Sequence, residues 1–146
     1  MNIYTIGFSK KSAEFFFNSI KKNNIDILVD IRLNNTSQLS GFAKNKDLEY
    51  FLYEISKCIY YHDTIFAPSS EILKSYKSKK KSWEEYEKEY NNLIIKRNMV
   101  LYFFDKYKSY NNICLLCSED KPDNCHRRLL ADALKKENNS IFIIHL

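Results

Sequence analysis

The stretch Ile113–Leu130, ICLLCSEDKPDNCHRRLL, decides how the chain is read. Its apolar run, Ile113-Cys114-Leu115-Leu116, has the length and character of a buried strand. The run stops at Cys117, and the polar segment Ser118-Glu119-Asp120-Lys121-Pro122 reads as a loop. Asp123 or Asn124 is then expected to cap a helix that begins Cys125-His126-Arg127-Arg128 and runs to about Lys136. A strand that passes directly to a helix is half of a βαβ unit. In open α/β sheets, sites form at the carboxyl ends of strands. Two thiols, a carboxylate, an imidazole and two guanidiniums are placed there, beside helix N–H groups that suit anions.

The same alternation extends outward. Asn2–Ile6 reads as a first strand, with Gly7-Phe8-Ser9 as the turn after it. Ser12 caps a helix, Ala13–Lys22, with Phe16, Phe17 and Ile20 on its apolar face. Ile25–Ile31 is a second strand, apolar enough to be central, closed by Asp30 and Arg32. A polar loop, Leu33–Lys46, leads to a helix capped by Asn45 or Asp47 and ending near Lys57, with Leu48, Phe51, Leu52 and Ile55 on one face. Cys58–Tyr61 is a short third strand ending at His62-Asp63. Three helical segments follow before the next strand. One is capped by Ser69 or Ser70 and ends near Tyr76; one is capped by Ser82; the last spans Met99–Tyr107. Ser140–His145 is the last strand. The expected architecture is a single α/β domain over residues 1–146: a mostly parallel sheet of about five strands, right-handed crossovers, flanking helices, and a helical insertion before the fourth strand.

Composition narrows the function classes. The net charge of +5 permits a nucleotide or nucleic-acid partner without demanding one. Two glycines exclude GxGxxG and GxxxxGK phosphate loops, so no cofactor is identified this way. No run is long enough to span a bilayer. Four cysteines in a chain that opens on strand-like sequence imply reduced thiols in a cytosol. No protein partner is identifiable.

In a parallel sheet the polar strand ends converge on one edge. That edge would carry Ser9, Asp30, Arg32, His62, Cys117 and Glu119, faced by Cys125, His126, Arg127 and Arg128. Asp30 and Arg32 also suit a structural ion pair, Cys58 and Cys114 suit inert core thiols, and Trp83 with the tyrosines after it suits helix packing, with a base-stacking surface as the alternative. The Lys77–Lys81 run suits a solvated turn. For Cys117 and Cys125 three readings stand. Cys125, at a helix N-terminus beside cations, is expected to be the nucleophilic thiolate. Cys117, Cys125 and His126 would alternatively ligate zinc or iron, though without close CxxC pairs. The third reading is packing alone. A cysteine-phosphatase loop is excluded, because Asp123 stands where its arginine would follow Cys117. In the leading reading the chain is an enzyme acting on a phosphate-bearing substrate, a nucleotide or nucleic acid. Arg32, Arg127 and Arg128 then hold the anion, a cysteine attacks, and Glu119, Asp30 or His126 moves protons. The alternatives are a non-catalytic nucleic-acid-binding module and the metal site.

These segments resemble the domain of unknown function family 488. The family's TIGxS-like opening matches Tyr4–Ser9, its VDxR segment Val29–Arg32, and its LLCxE and CHR segments Leu115–Glu119 and Cys125–Arg127. The Gly41–Lys44 loop, the Tyr61-His62 pair, Ala67-Pro68 and the Trp83–Tyr86 helix look like one branch of it. The resemblance covers essentially the whole chain and implies a compact α/β fold with a recurrent polar pocket, without a settled activity. Phe8 departs from the histidine found in many members.

Overall fold

The computed structural model describes residues Met1–Leu146. Five strands form one sheet: β1 (Asn2–Gly7), β2 (Ile27–Asp30), β3 (Ile59–His62), β4 (Asn112–Cys117) and β5 (Phe142–His145). Their order is β3-β2-β4-β1-β5, and every neighbouring pair is parallel. The alternation of the strands sorts the core into two layers. Tyr4, Ile6, Leu28, Cys114 and Leu116 pack under α1 (Ala13–Lys22) and α2 (Asn45–Ser56). Ile3, Ile27, Val29, Ile113 and Leu115 pack under α3 (Ser70–Lys77), α4 (Trp83–Lys96), α5 (Met99–Tyr107) and α6 (His126–Glu137). The expected insertion before the fourth strand is therefore α3, α4 and α5. No helix is long and apolar enough to cross a membrane.

This winding positions the site. The connections after β1 and β2 leave toward α1 and α2, and the one after β4 leaves toward α6 on the other face. Because β4 lies between β1 and β2, its carboxyl end opens a crevice on both sides, where ligands of doubly wound sheets bind.

Local signals explain most boundaries. Ser12 and Ser69 accept from the N–H groups of Phe15 and Ile72. Ser82 and Glu85 form a reciprocal capping box at α4. Two expected caps are corrected. The residue before α2 is Lys44, with no side-chain cap, because Asn45 and Asp47 already lie inside the first turn. The residue before α6 is Cys125, in extended backbone, so Asp123 and Asn124 stay in the loop. The long loop after β2 contains a kinked 3-10 segment, Gln38–Ala43, whose turn uses Gly41 at φ 54°. The Thr64–Pro68 loop opens with another short 3-10 turn, Thr64–Phe66.

Candidate active site

A cavity of about 400 Å³ opens at the carboxyl end of β4. Cys117, Cys125, His126, Glu119 and Arg32 line it, together with Tyr76 and Tyr86. Lys77, the last residue of α3, and Lys79 and Lys81, from the turn after it, complete the wall. The basic run is thus not only a solvated turn: part of it faces this cavity.

Cys117 ends β4 on the face toward α6, whose first residue is His126. Its sulfur lies 3.6 Å from His126 Nδ1 and 3.9 Å from Nε2. Nε2 also stands 3.0 Å from the Ile31 carbonyl, and the Tyr86 hydroxyl stands 3.4 Å from Nδ1. Both thiols and the imidazole are buried. The hydrogen bond from the Cys125 thiol is the main cause that holds Cys117 well below the ordinary thiol range. Burial opposes it, and the His126 ring and the Glu119 N–H add to it. Burial also opposes charge on His126, but the Cys117 thiolate and the Ile31 carbonyl outweigh it and raise that pKa. Cys125 moves the other way, pushed up by burial first and by the neighbouring thiolate second. These two directions favour charge on Cys117, whereas the sequence expectation placed it on Cys125. Cys117 meets both the Cys125 thiol and the His126 ring, while burial holds Cys125 up despite Arg127 beside it.

That arginine is Arg127, 1% exposed. Its Nη1 donates to the Glu119 carbonyl at 2.6 Å and to Cys125 Sγ at 3.4 Å, and its Nη2 donates to the Asp120 carbonyl at 2.9 Å. It holds the loop after β4 instead of facing the cavity. Gly7 completes that junction. A Cβ there would sit 1.6 Å from the Glu119 carbonyl oxygen, so only glycine lets β1 pass beneath the loop.

Asp30 and Arg32 form a buried fork. Nε donates to Oδ1 at 2.8 Å and Nη2 to Oδ2 at 2.6 Å, and Tyr60 donates its hydroxyl to Oδ2 at 2.7 Å. Nη2 also reaches the Ala43 carbonyl, and the guanidinium lies 5.1 Å over the Phe8 ring. Burial works against the Arg32 charge, and the bond and field of Asp30 more than restore it, raising its pKa. One donor is left: Nη1 is buried and has no hydrogen-bond partner.

The cavity thus gathers Arg32, Cys117, Glu119, Cys125 and His126. The other expected site residues lie outside its wall. Asp30 is fully buried behind the wall, where it holds Arg32 and Tyr60. His62 Nε2 stands 2.8 Å from the Arg32 carbonyl. Ser9 lines a separate shallow surface with Lys10 and Asp120. Arg128 donates to the Asp123 carbonyl and pairs with Asp132 on the surface. Sequence reasoning missed Tyr76 and the lysines as wall residues, and it gave Tyr86 a helix-packing role with base stacking as the alternative. The fold alone turns α3 and α4 over the end of β4.

The donor atoms of Cys117, Cys125 and His126 lie within 4.8 Å of one another, close enough to face one ion. Cys117 sulfur stands almost equally far from both ring nitrogens. Arg127 moreover donates to Cys125.

The molecule is a parallel α/β sheet that gathers two cysteines and a histidine at the end of its central strand. Residues 12–134 match the family described as Domain of unknown function DUF488, and the chain belongs to that family. No curated protein and no solved structure matches the chain.

Proposed function

We propose that the protein is an enzyme that takes a phosphate-bearing substrate, a nucleotide or nucleic acid, into this cavity and acts on it through Cys117. The observation that carries the reading is the unpartnered Nη1 of Arg32, a residue 3% exposed, on the same wall as the thiolate. A buried donor without a partner costs free energy that a bound anion recovers. Lysines 77, 79 and 81 add positive charge. The volume suits one nucleotide-sized group, with Tyr76 and Tyr86 as flat walls for a base. In this reading Cys117 attacks the electrophilic centre next to the held phosphate. His126 gives its proton to the leaving group, and Glu119 accepts one from the water that releases the covalent intermediate. All four cysteines are free, and the chemistry suits a reducing cytosol.

The test is paired. Inorganic phosphate or a nucleoside monophosphate should raise the melting temperature and slow alkylation of Cys117 by iodoacetamide. At a hundredfold excess over Kd the stabilisation is about 2.7 kcal/mol. Arg32→Lys should lose both effects, because lysine lacks the second fork and Nη1. Cys117→Ser should keep the thermal shift and lose turnover. A binding module would instead keep full function in Cys117→Ser. Wild-type protein that shows neither shift nor protection ends the phosphate reading.

A further inference from the structure

The enzyme reading uses Cys117 and leaves Cys125 unexplained. Cys125 is 2% exposed, ends the loop after β4, and has its sulfur within 4.8 Å of the Cys117 sulfur. We infer that Cys117 and Cys125 form a hydroperoxide-responsive dithiol, in which Cys117 is oxidised and Cys125 resolves it to a disulfide. The inference does not rest on the phosphate-bearing substrate.

Three observations converge. The two thiols bracket one loop, Ser118–Asn124, whose carbonyls at Glu119 and Asp120 are held by Arg127, so the sulfurs stay neighbours. Both line the cavity, which admits a small polar oxidant. The remaining cysteines cannot compete: Cys58 and Cys114 lie in the apolar layer under α1 and α2, on the other face of the sheet. The protonation pattern fits the division of labour, with the thiolate on Cys117 and the proton on Cys125. Low thiol pKa beside a second cysteine is the arrangement found in reversible redox cysteines.

The chemistry balances with a hydroperoxide as oxidant. The Cys117 thiolate attacks one peroxide oxygen and the O–O bond breaks. The departing oxyanion takes the His126 proton and leaves as water or an alcohol, and Cys117 becomes a sulfenic acid. The Cys125 sulfur then attacks the Cys117 sulfur. The S–O bond breaks, hydroxide leaves with the Cys125 proton as water, and an S–S bond forms. The peroxide gains two electrons and the two thiols lose them. A small dithiol returns the pair to the reduced state.

Reduced full-length protein treated with hydrogen peroxide and mapped by mass spectrometry tests this. Wild type should lose two free thiols within one chain, as a Cys117–Cys125 disulfide that dithiothreitol reverses. In Cys125→Ser, Cys117 should accumulate as a sulfenic acid that dimedone tags. Should Cys125→Ser fail to fold, the wild-type map alone decides. The inference is overturned if Cys58 or Cys114 is oxidised first, if Cys117 goes to sulfinic acid without a disulfide, if the bond forms only between chains, or if no thiol is lost. None of these outcomes bears on the phosphate-induced thermal shift, so the two readings fail separately.

Discussion

Asp30 is the residue on which the cavity wall leans. Its two oxygens take Arg32 and Tyr60: Asp30 ends β2, Arg32 follows it, and Tyr60 lies on the neighbouring β3. Asp30→Asn would leave the Arg32 charge buried without its partner, at a cost of roughly 3–5 kcal/mol. Urea unfolding should show it as a large fall in midpoint with little change in slope. Tyr60→Phe, which removes the bond donated to Asp30 and the one accepted from Asn35, should cost roughly 1–3 kcal/mol. The types at positions 30 and 32 were legible, and so was the alternative of an ion pair. What the sequence could not show is that both descriptions hold: the pair is structural, and one of its donors is left over. The choice between Cys117 and Cys125 was illegible for a related reason. Nearby cations in the sequence favoured Cys125, and Arg127 does donate to it while binding two carbonyls, but burial outweighs that pull, and only the fold shows the burial.

At the scale of elements, the loop after β4 is held from two sides. Arg127 fastens it from α6, and Gly7 makes room for it on β1. Arg127→Ala strips the donors from the Glu119 and Asp120 carbonyls. We expect a loss of roughly 1.5–3 kcal/mol and faster amide exchange confined to Ser118–Asn124. The phosphate-induced thermal shift should remain, since Arg127 does not line the cavity. A lost shift with unchanged stability would instead make it a ligand residue. The serine caps at Ser12, Ser69 and Ser82 were readable because each side chain bonds within its own turn. The cap of α6 was not, because Cys125 fills that place through tertiary packing with no cap bond of its own.

For the whole molecule, the buried thiols set the alkaline limit of stability. Burial pushes Cys58 up to about 12, and it pushes Cys114 and Cys125 up as well. The unfolded chain releases these protons near pH 8.5 while the folded chain keeps them, so folding loses free energy as pH rises past that point. His126 adds to the trend: its pKa is raised in the fold, so its contribution is full below the unfolded value and lost as pH climbs through the folded one. Cys117 runs oppositely, contributing above the unfolded value and losing that contribution on acidification. Three protonated thiols against one thiolate predict a melting temperature that falls between about pH 8 and pH 10. Cys58→Ala and Cys114→Ala should flatten that fall, and an unchanged slope in both would refute the account. The parallel sheet was legible from the alternation of strands and helices. The order of the strands was not, because it depends on which faces the crossovers choose.

That order has one more consequence. β4 has a bonded neighbour on each side over Ile113–Leu116, with β1 alone continuing to Cys117, and the edges of the sheet belong to β3 and β5. Fraying begins at edges, and a central parallel strand parts from its neighbours only when the cooperative unit opens. Cys117 therefore sits in the last part of the chain to be released. Damage at β5, or clipping in the loops around β3, would leave the thiolate seated. The chemistry of this protein should accordingly behave as all or none, vanishing with the fold itself and not before it.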